Sequence, residues 1–251
     1  MILKDIRYYN LCTNSRGKCY ISACGKYFLK EFKNKHSYLN ETKISKLLKN
    51  TKGFIPIVDN FYTNYNYYIS YKYYENINLY TTATETKLID DKILDRVFYN
   101  CVTNLEKLHN LNYVHLDIKP ENYLLVNNDI NDIRLIDLEF CEKMIGEDKK
   151  IFRQRGTKSY VAPEVYNNFV SYKTDVWGLG LIYYVLKNKT FPFRQICNSN
   201  RECISKNELL EFCKTDDVTK NILDMTIIQN YNERCSLSDL KYYIEKEIID
   251  I

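Results

Sequence analysis

His115-Leu116-Asp117-Ile118-Lys119-Pro120-Glu121-Asn122, followed downstream by Asp137-Leu138-Glu139, is the stretch whose reading decides the fold. Between the two lie short apolar runs at 123–126 and 133–136, separated by the turn-forming residues 127–132. This pattern predicts a β-hairpin, because Asn and Asp tolerate turn dihedrals while Ile, Leu and Val fill the flanking strands. Upstream, residues 91–110 place Ile93, Leu94, Val97, Phe98, Val102, Leu105 and Leu108 at spacings of three and four. That spacing predicts an amphipathic helix leading into the polar stretch.

Further towards the start, residues 6–32 read as short strands broken at 14–17 and 24–25. Residues 38–49 read as a helix with Leu39, Ile44, Leu47 and Leu48 on one side and charges opposite. Strands follow at 55–62 and 67–73. Beyond Thr174 helical patterns dominate. No repeat or low-complexity linker interrupts the chain, so a strand-rich first part and a helical second part account for all 251 residues.

Composition narrows the function classes. Hydrophobic residues make up 45%, enough for a sizeable core. Net charge is +4 with both signs interspersed, which describes a solvated surface and gives no dedicated nucleic-acid face. No stretch approaches the roughly 20 apolar residues that span a bilayer, so no membrane association is expected. Nine cysteines without a CxxC pair, and no cleavable apolar leader, point to a reducing, cytoplasmic setting. Cys197 and Cys203 lack a second pair and nearby histidines, so a structural zinc site is not expected.

The two quoted motifs, with Lys30, Glu41, Ala162-Pro163-Glu164, Asp175-Val176-Trp177-Gly178 and Arg234 in order around them, resemble eukaryotic-type protein kinases over nearly the whole chain. The resemblance implies an α+β, bilobal protein-kinase-like fold. A small antiparallel β-sheet N-lobe with one helix, about residues 1–74, would precede a larger, mainly α-helical C-lobe, about residues 75–251. It also implies ATP and Mg²⁺ as cofactors and a protein substrate with a Ser/Thr acceptor.

The same resemblance distributes roles. Asp117 would orient the acceptor hydroxyl and take its proton, and Lys119 would neutralise charge on the transferred phosphoryl group. Asn122 and Asp137 offer hard oxygen ligands of the kind magnesium prefers. Lys30 would hold the α- and β-phosphates and pair with Glu41 from the helix. Gly17, Cys19, Phe28 and Leu124 fall where the family encloses the nucleotide, with the hinge around residues 72–74. Thr157 and Lys119 favour serine or threonine over tyrosine as acceptor. Glu164 and Arg234 would form a buried ion pair, Asp175 would anchor the catalytic loop, and His115 would be a packed interior residue.

Several positions depart from the family pattern. The glycine-rich loop keeps only Gly17, with Cys12 and Asn14 at the other two glycine positions; Asn tolerates left-handed dihedrals better than Cys does. Phe28 stands where a small alanine usually faces the adenine ring. Ser45 replaces an apolar residue one turn after Glu41, and Glu139 replaces the glycine of the metal motif. Together these leave a second reading open, a pseudokinase that binds a protein partner with weak or no ATP binding. Leu116 replaces the arginine that pairs with a phosphorylated activation loop in many kinases. Residues 138–156 contain no Ser, Thr or Tyr, so dependence on phosphorylation there is not expected. The motif run looks like the calmodulin-dependent group, yet the chain leaves no room for a calmodulin-binding tail, so calmodulin is not an expected partner. Glu121 lies where basophilic kinases contact an arginine of the substrate.

Overall fold

The computed structural model describes residues 7–13, 17–63, 65–85, 90–153, 155–190 and 216–249. The first part is a five-stranded antiparallel sheet built from β1 (Tyr8–Thr13), β2 (Lys18–Ser22), β3 (Tyr27–Phe32), β4 (Ile57–Tyr62) and β5 (Tyr67–Lys72), in the order β1-β2-β3-β5-β4. One helix, α1 (Lys35–Leu47), lies between β3 and β4. Asn34 starts it by accepting from the backbone N–H groups of His36 and Ser37, two of the donors that a helix start leaves unpaired.

The α1 helix begins three residues earlier than the apolar spacing predicts, and it buries a different face. Tyr38, Glu41, Thr42, Ile44, Ser45 and Leu48 are buried, while Leu39 and Leu47 are about half exposed. Hydrophobicity misled here because Glu41 and Ser45 are turned inward by polar partners rather than by an apolar core.

The chain then runs through β6 (Asn76–Asn78), α2 (Leu79–Glu85) and the long α3 (Asp91–His109). The strand pair β7 (Tyr113–Val114) and β10 (Glu142–Lys143) brackets the predicted hairpin, β8 (Tyr123–Val126) and β9 (Ile133–Leu135). Next come β11 (Asp148–Lys150), the short α4 (Pro163–Tyr166) and β12 (Phe169–Ser171), with β11 and β12 paired as a ribbon. The buried helix α5 (Tyr172–Asn188) follows, capped by a reciprocal Ser171–Thr174 box. The helices α6 (Asp217–Thr226) and α7 (Leu237–Glu247) close the described chain.

Two cores result. A small cluster of Phe32, Tyr38, Ile57, Ile69 and Tyr71 lies between α1 and the sheet. A large one runs from Ile44, Leu48 and Phe54 through α3, the β8–β9 hairpin and α5 to α6 and α7. Helix α1 therefore contributes to both, and the 115–122 stretch is rooted in the larger one through Leu116 and Ile118. Gly178 shows how closely α5 supports that stretch: a Cβ there would sit 2.7 Å from the Ile118 Cβ and carbonyl oxygen. Among the described residues no helix is long and apolar enough to cross a membrane. Cys197 and Cys203 lie outside the described residues.

Candidate active site

The floor of the site is held by one buried carboxylate. Asp175, 1% exposed at the start of α5, accepts from the backbone N–H of His115 (2.7 Å) and of Leu116 (2.8 Å) and lies 2.8 Å from His109 Nε2. These bonds hold Leu116 at φ +66°, a left-handed conformation that costs a non-glycine residue energy unless its surroundings fix it. His115 is fully buried. Its Nδ1 accepts from the Asp117 N–H at 3.2 Å, so Nε2 carries the proton that reaches the Ile136 carbonyl at 3.0 Å.

From this turn Asp117 points into a dense polar net. Its Oδ1 accepts from the backbone N–H of Thr157 (2.6 Å) and the Thr157 hydroxyl (2.7 Å). Its Oδ2 accepts from Lys119 Nζ (2.8 Å) and from Asn122 Nδ2 (3.2 Å). Lys119 Nζ also donates to the Thr157 hydroxyl at 2.5 Å. Asn122 donates a second time, to the Asp117 carbonyl at 2.8 Å, which commits its amide nitrogen and leaves the side-chain oxygen directed the other way.

Across the cleft, Lys30 Nζ on β3 bonds Glu41 Oε2 of α1 at 2.7 Å and Asp137 Oδ1 at 2.5 Å. Burial alone would lower the Lys30 ammonium, but the carboxylates of Asp137, Glu41 and Glu139 outweigh it and hold the pKa well above its ordinary value. Burial pushes the Glu41 carboxyl up to about 7, against the opposing pull of Lys30 and of a hydrogen bond from Tyr71. Asp137 has φ +65°, and α1 grips the backbone that follows it: Asn40 Nδ2 donates to the carbonyls of Glu139 (3.0 Å) and Cys141 (2.8 Å).

Two of these contacts are absent from the sequence reading. The Tyr71 hydroxyl on β5 donates to Glu41 Oε1 at 2.6 Å, with the Ser45 hydroxyl beside the same phenol. Ser45 is thus a polar partner where an apolar residue was expected, and Tyr71 with Ser45 gives Glu41 a second anchor besides Lys30. Asn40 is the other. Its signal was only adjacency to Glu41, whereas Tyr71 sits in a tyrosine-rich strand whose pattern singles out none of its members.

The Lys30–Glu41–Asp137 net faces a cavity of about 400 Å³, bounded by Leu11 and Cys19 of the first strands, Phe28, Tyr71, the 72–74 segment, and Leu124 and Leu135 below, whereas Asp117, Lys119 and Asn122 do not line it. Cys19, Phe28, Lys30, Glu41, Leu124 and Asp137 therefore face one space. Phe28 lines this cavity without filling it, its ring 6.5 Å from that of Tyr71. Gly17 does not line it. A Cβ there would lie 2.0 Å from the Glu31 carbonyl oxygen, so the chain entering β2 needs glycine for its approach to β3. Asn14 lies outside the described residues, and Cys12 is exposed opposite Cys19 in the β1–β2 register.

The outer segment is tied down as well. Arg234 is 1% exposed and pairs with Glu164 through both guanidinium nitrogens, at 2.9 and 3.0 Å. It also donates to the Ile228 and Lys173 carbonyls, with its guanidinium over the Trp177 ring. Among the described residues no three His, Cys, Asp or Glu side chains converge as a metal cluster. A hard divalent ion at Asn122 and Asp137 would have to draw its remaining oxygens from a ligand and water. That donor set suits magnesium, which keeps several waters and takes few protein ligands.

The sequence pattern of the protein kinase domain matches residues 10–243. Among curated proteins, the chain is 31% identical over 171 residues to myosin light chain kinase family member 4 of Mus musculus, covering 66% of this chain and 42% of that protein. It is 30% identical over 158 residues to calcium-dependent protein kinase 22 of Arabidopsis thaliana, covering 57% of this chain and 31% of that protein. It is also 44% identical over 95 residues to serine/threonine-protein kinase dkf-2 of Caenorhabditis briggsae, covering 36% of this chain and 8% of that protein. The chain spans less than half the length of each of these relatives.

Proposed function

Since the chain belongs to the protein kinase domain family, we propose that it is an active serine/threonine kinase, moving the γ-phosphoryl group of ATP to a protein hydroxyl. The observation that carries this reading is the convergence of Lys30, Glu41 and Asp137 on one cavity, together with a separate net in which Asp117 is held by Lys119, Asn122 and Thr157.

In this reading the acceptor hydroxyl oxygen bonds to the γ-phosphorus as the bond to the β,γ-bridging oxygen breaks. ADP departs, and the hydroxyl proton passes to Asp117. The four donors on Asp117 fix its carboxylate, so its orientation is set before substrate arrives. Lys119 lies beside that carboxylate and offers positive charge to the phosphoryl oxygens as they pass. Lys30 holds the α- and β-phosphates, kept forward by Glu41. Magnesium, held by the oxygens of Asn122 and Asp137, would supply charge neutralisation on the phosphates.

Glu121 supports a substrate preference. Its Oε2 is buried with no hydrogen-bond partner among the described residues, and burial raises its carboxyl pKa. A lone buried carboxylate oxygen costs energy until a donor reaches it, and an arginine or lysine near the acceptor serine would do so. Phe28 favours the second reading, a pseudokinase, because its ring occupies wall space that a smaller residue would leave to the adenine.

The test is transfer of labelled γ-phosphate to a serine and threonine peptide library, read by mass spectrometry. Wild-type protein should label Ser and Thr peptides rich in basic residues, and Asp117→Asn should lower the rate by at least about a hundredfold. Labelling that survives Asp117→Asn, or no labelling by wild type at millimolar ATP, would refute the enzyme.

A further inference from the structure

One carboxylate outside the catalytic nets collects two cations from distant points of the same segment. Glu142 lies on β10, directly opposite Val114, which precedes His115 of the catalytic loop. Its Oε1 pairs with the Arg155 guanidinium at 2.5 Å and its Oε2 with Lys149 Nζ at 2.7 Å. Arg155 also donates to the Phe140 carbonyl (3.0 Å), and Lys149 to the Lys143 carbonyl (3.2 Å). The three side chains are 17%, 19% and 34% exposed, so these are not loose surface contacts.

Each cation leads somewhere useful. Arg155 precedes Gly156 and Thr157, and Thr157 donates both its N–H and its hydroxyl to Asp117. Lys149 lies on β11, whose partner β12 ends at Ser171, the cap of α5. Glu142 therefore joins the strand beside the catalytic loop to both the inner and the outer arm of the segment that would receive a peptide. A phosphate group at such a point would do the same work, drawing cations from two arms onto one anion. Here no residue from 138 to 156 can carry one, and Leu116 is buried where a phosphate-pairing cation would be needed.

We propose that Glu142 is a positioning residue that holds residues 142–153 and 155–157 in the peptide-accepting arrangement, a genetically fixed anion in place of a regulatory phosphate. The proposal rests on the kinase reading above for its activity readout and on geometry alone for its structural one. The kinase is consequently on without modification of this segment.

The experiment is a double-mutant cycle on the full chain with Glu142→Gln, Arg155→Gln and the pair together. Peptide kcat/KM, the KM for ATP, and amide hydrogen exchange of the nucleotide-free protein are the readouts. Each single change should lower peptide kcat/KM by about tenfold, with the KM for ATP within about twofold of wild type. The double change should cost no more than the worse single one, and exchange should quicken at 142–157 alone. Phosphatase treatment of wild type should leave its rate unchanged.

Losses that multiply, or unchanged exchange at 142–157 in Glu142→Gln, would overturn the clamp. So would activity lost on phosphatase treatment. If wild type transfers no phosphate at all, the kinase reading falls by itself, and the exchange data still decide the clamp. Should Glu142→Gln fail to fold, Arg155→Gln and Lys149→Gln carry the same comparison with the carboxylate in place.

Discussion

Glu41 is 2% exposed between the Lys30 ammonium and the Tyr71 phenol, and the balance of those two partners against burial sets its charge. Its carboxyl is raised to about 7 from an ordinary 4.5. Between those values the folded chain keeps a proton that the unfolded chain has lost. This group's contribution to stability therefore declines as pH rises through that window. Function runs the other way, since only the ionised carboxylate holds Lys30 by charge. Urea unfolding at pH 5 and pH 7 should show a steeper loss of stability for wild type than for Glu41→Gln, and equal slopes would contradict the assignment. Tyr71→Phe leaves Glu41 Oε1 without its donor, at a cost of about 1–3 kcal/mol in stability. The KM for ATP should rise several-fold, and an unchanged KM together with unchanged stability would show that the phenol is idle. The polar members of the candidate site, Lys30, Glu41, Asp117, Lys119, Asn122 and Asp137, are the ones that the family's motifs mark in the sequence. Tyr71 and Asn40 were not, since their partners come from other elements and no local pattern distinguishes them from neighbouring tyrosines and asparagines.

At the scale of elements, the strands, the hairpin and the long α3 follow from alternation, turn residues and three-four spacing, and the structure places them within a few residues of those readings. The inward face of α1 did not follow. Leu39 and Leu47 point outward because the helix is oriented by Glu41 and Asn40, which bond to the β3 lysine and to the chain after Asp137. Gly17 is a second case, where close approach to the Glu31 carbonyl on β3 requires glycine, a demand that its motif does not announce. The link between α4 and the helical part depends on the Glu164–Arg234 pair. Arg234→Leu would strand the Glu164 carboxylate, 5% exposed, with Thr174 as its remaining hydrogen-bond donor. Denaturant unfolding should register a loss of roughly 3–5 kcal/mol. A loss below about 1 kcal/mol would mean that water reaches the site and the pair is not structural.

For the molecule as a whole, α1 joins the two cores, with Tyr38 in the smaller and Ile44 and Leu48 in the larger, so its position couples the sheet to the helical part. The cavity lies along that seam, lined by Phe28 and Ser45, with Glu139 close to Lys30. Ser45 is accommodated by the Tyr71 phenol, Glu139 by its place in the Lys30 charge balance, and Phe28 by a cavity that stays open beside it. The most direct measurement is the thermal stability of the full chain titrated with ATP and magnesium, alongside Lys30→Met. Saturation at about 100 times the dissociation constant should stabilise wild type by about 2.7 kcal/mol and leave Lys30→Met near its unliganded value. A wild-type melting temperature unmoved at millimolar nucleotide would contradict the account, because Lys30 and Asp137 would then line a cavity that holds no phosphate.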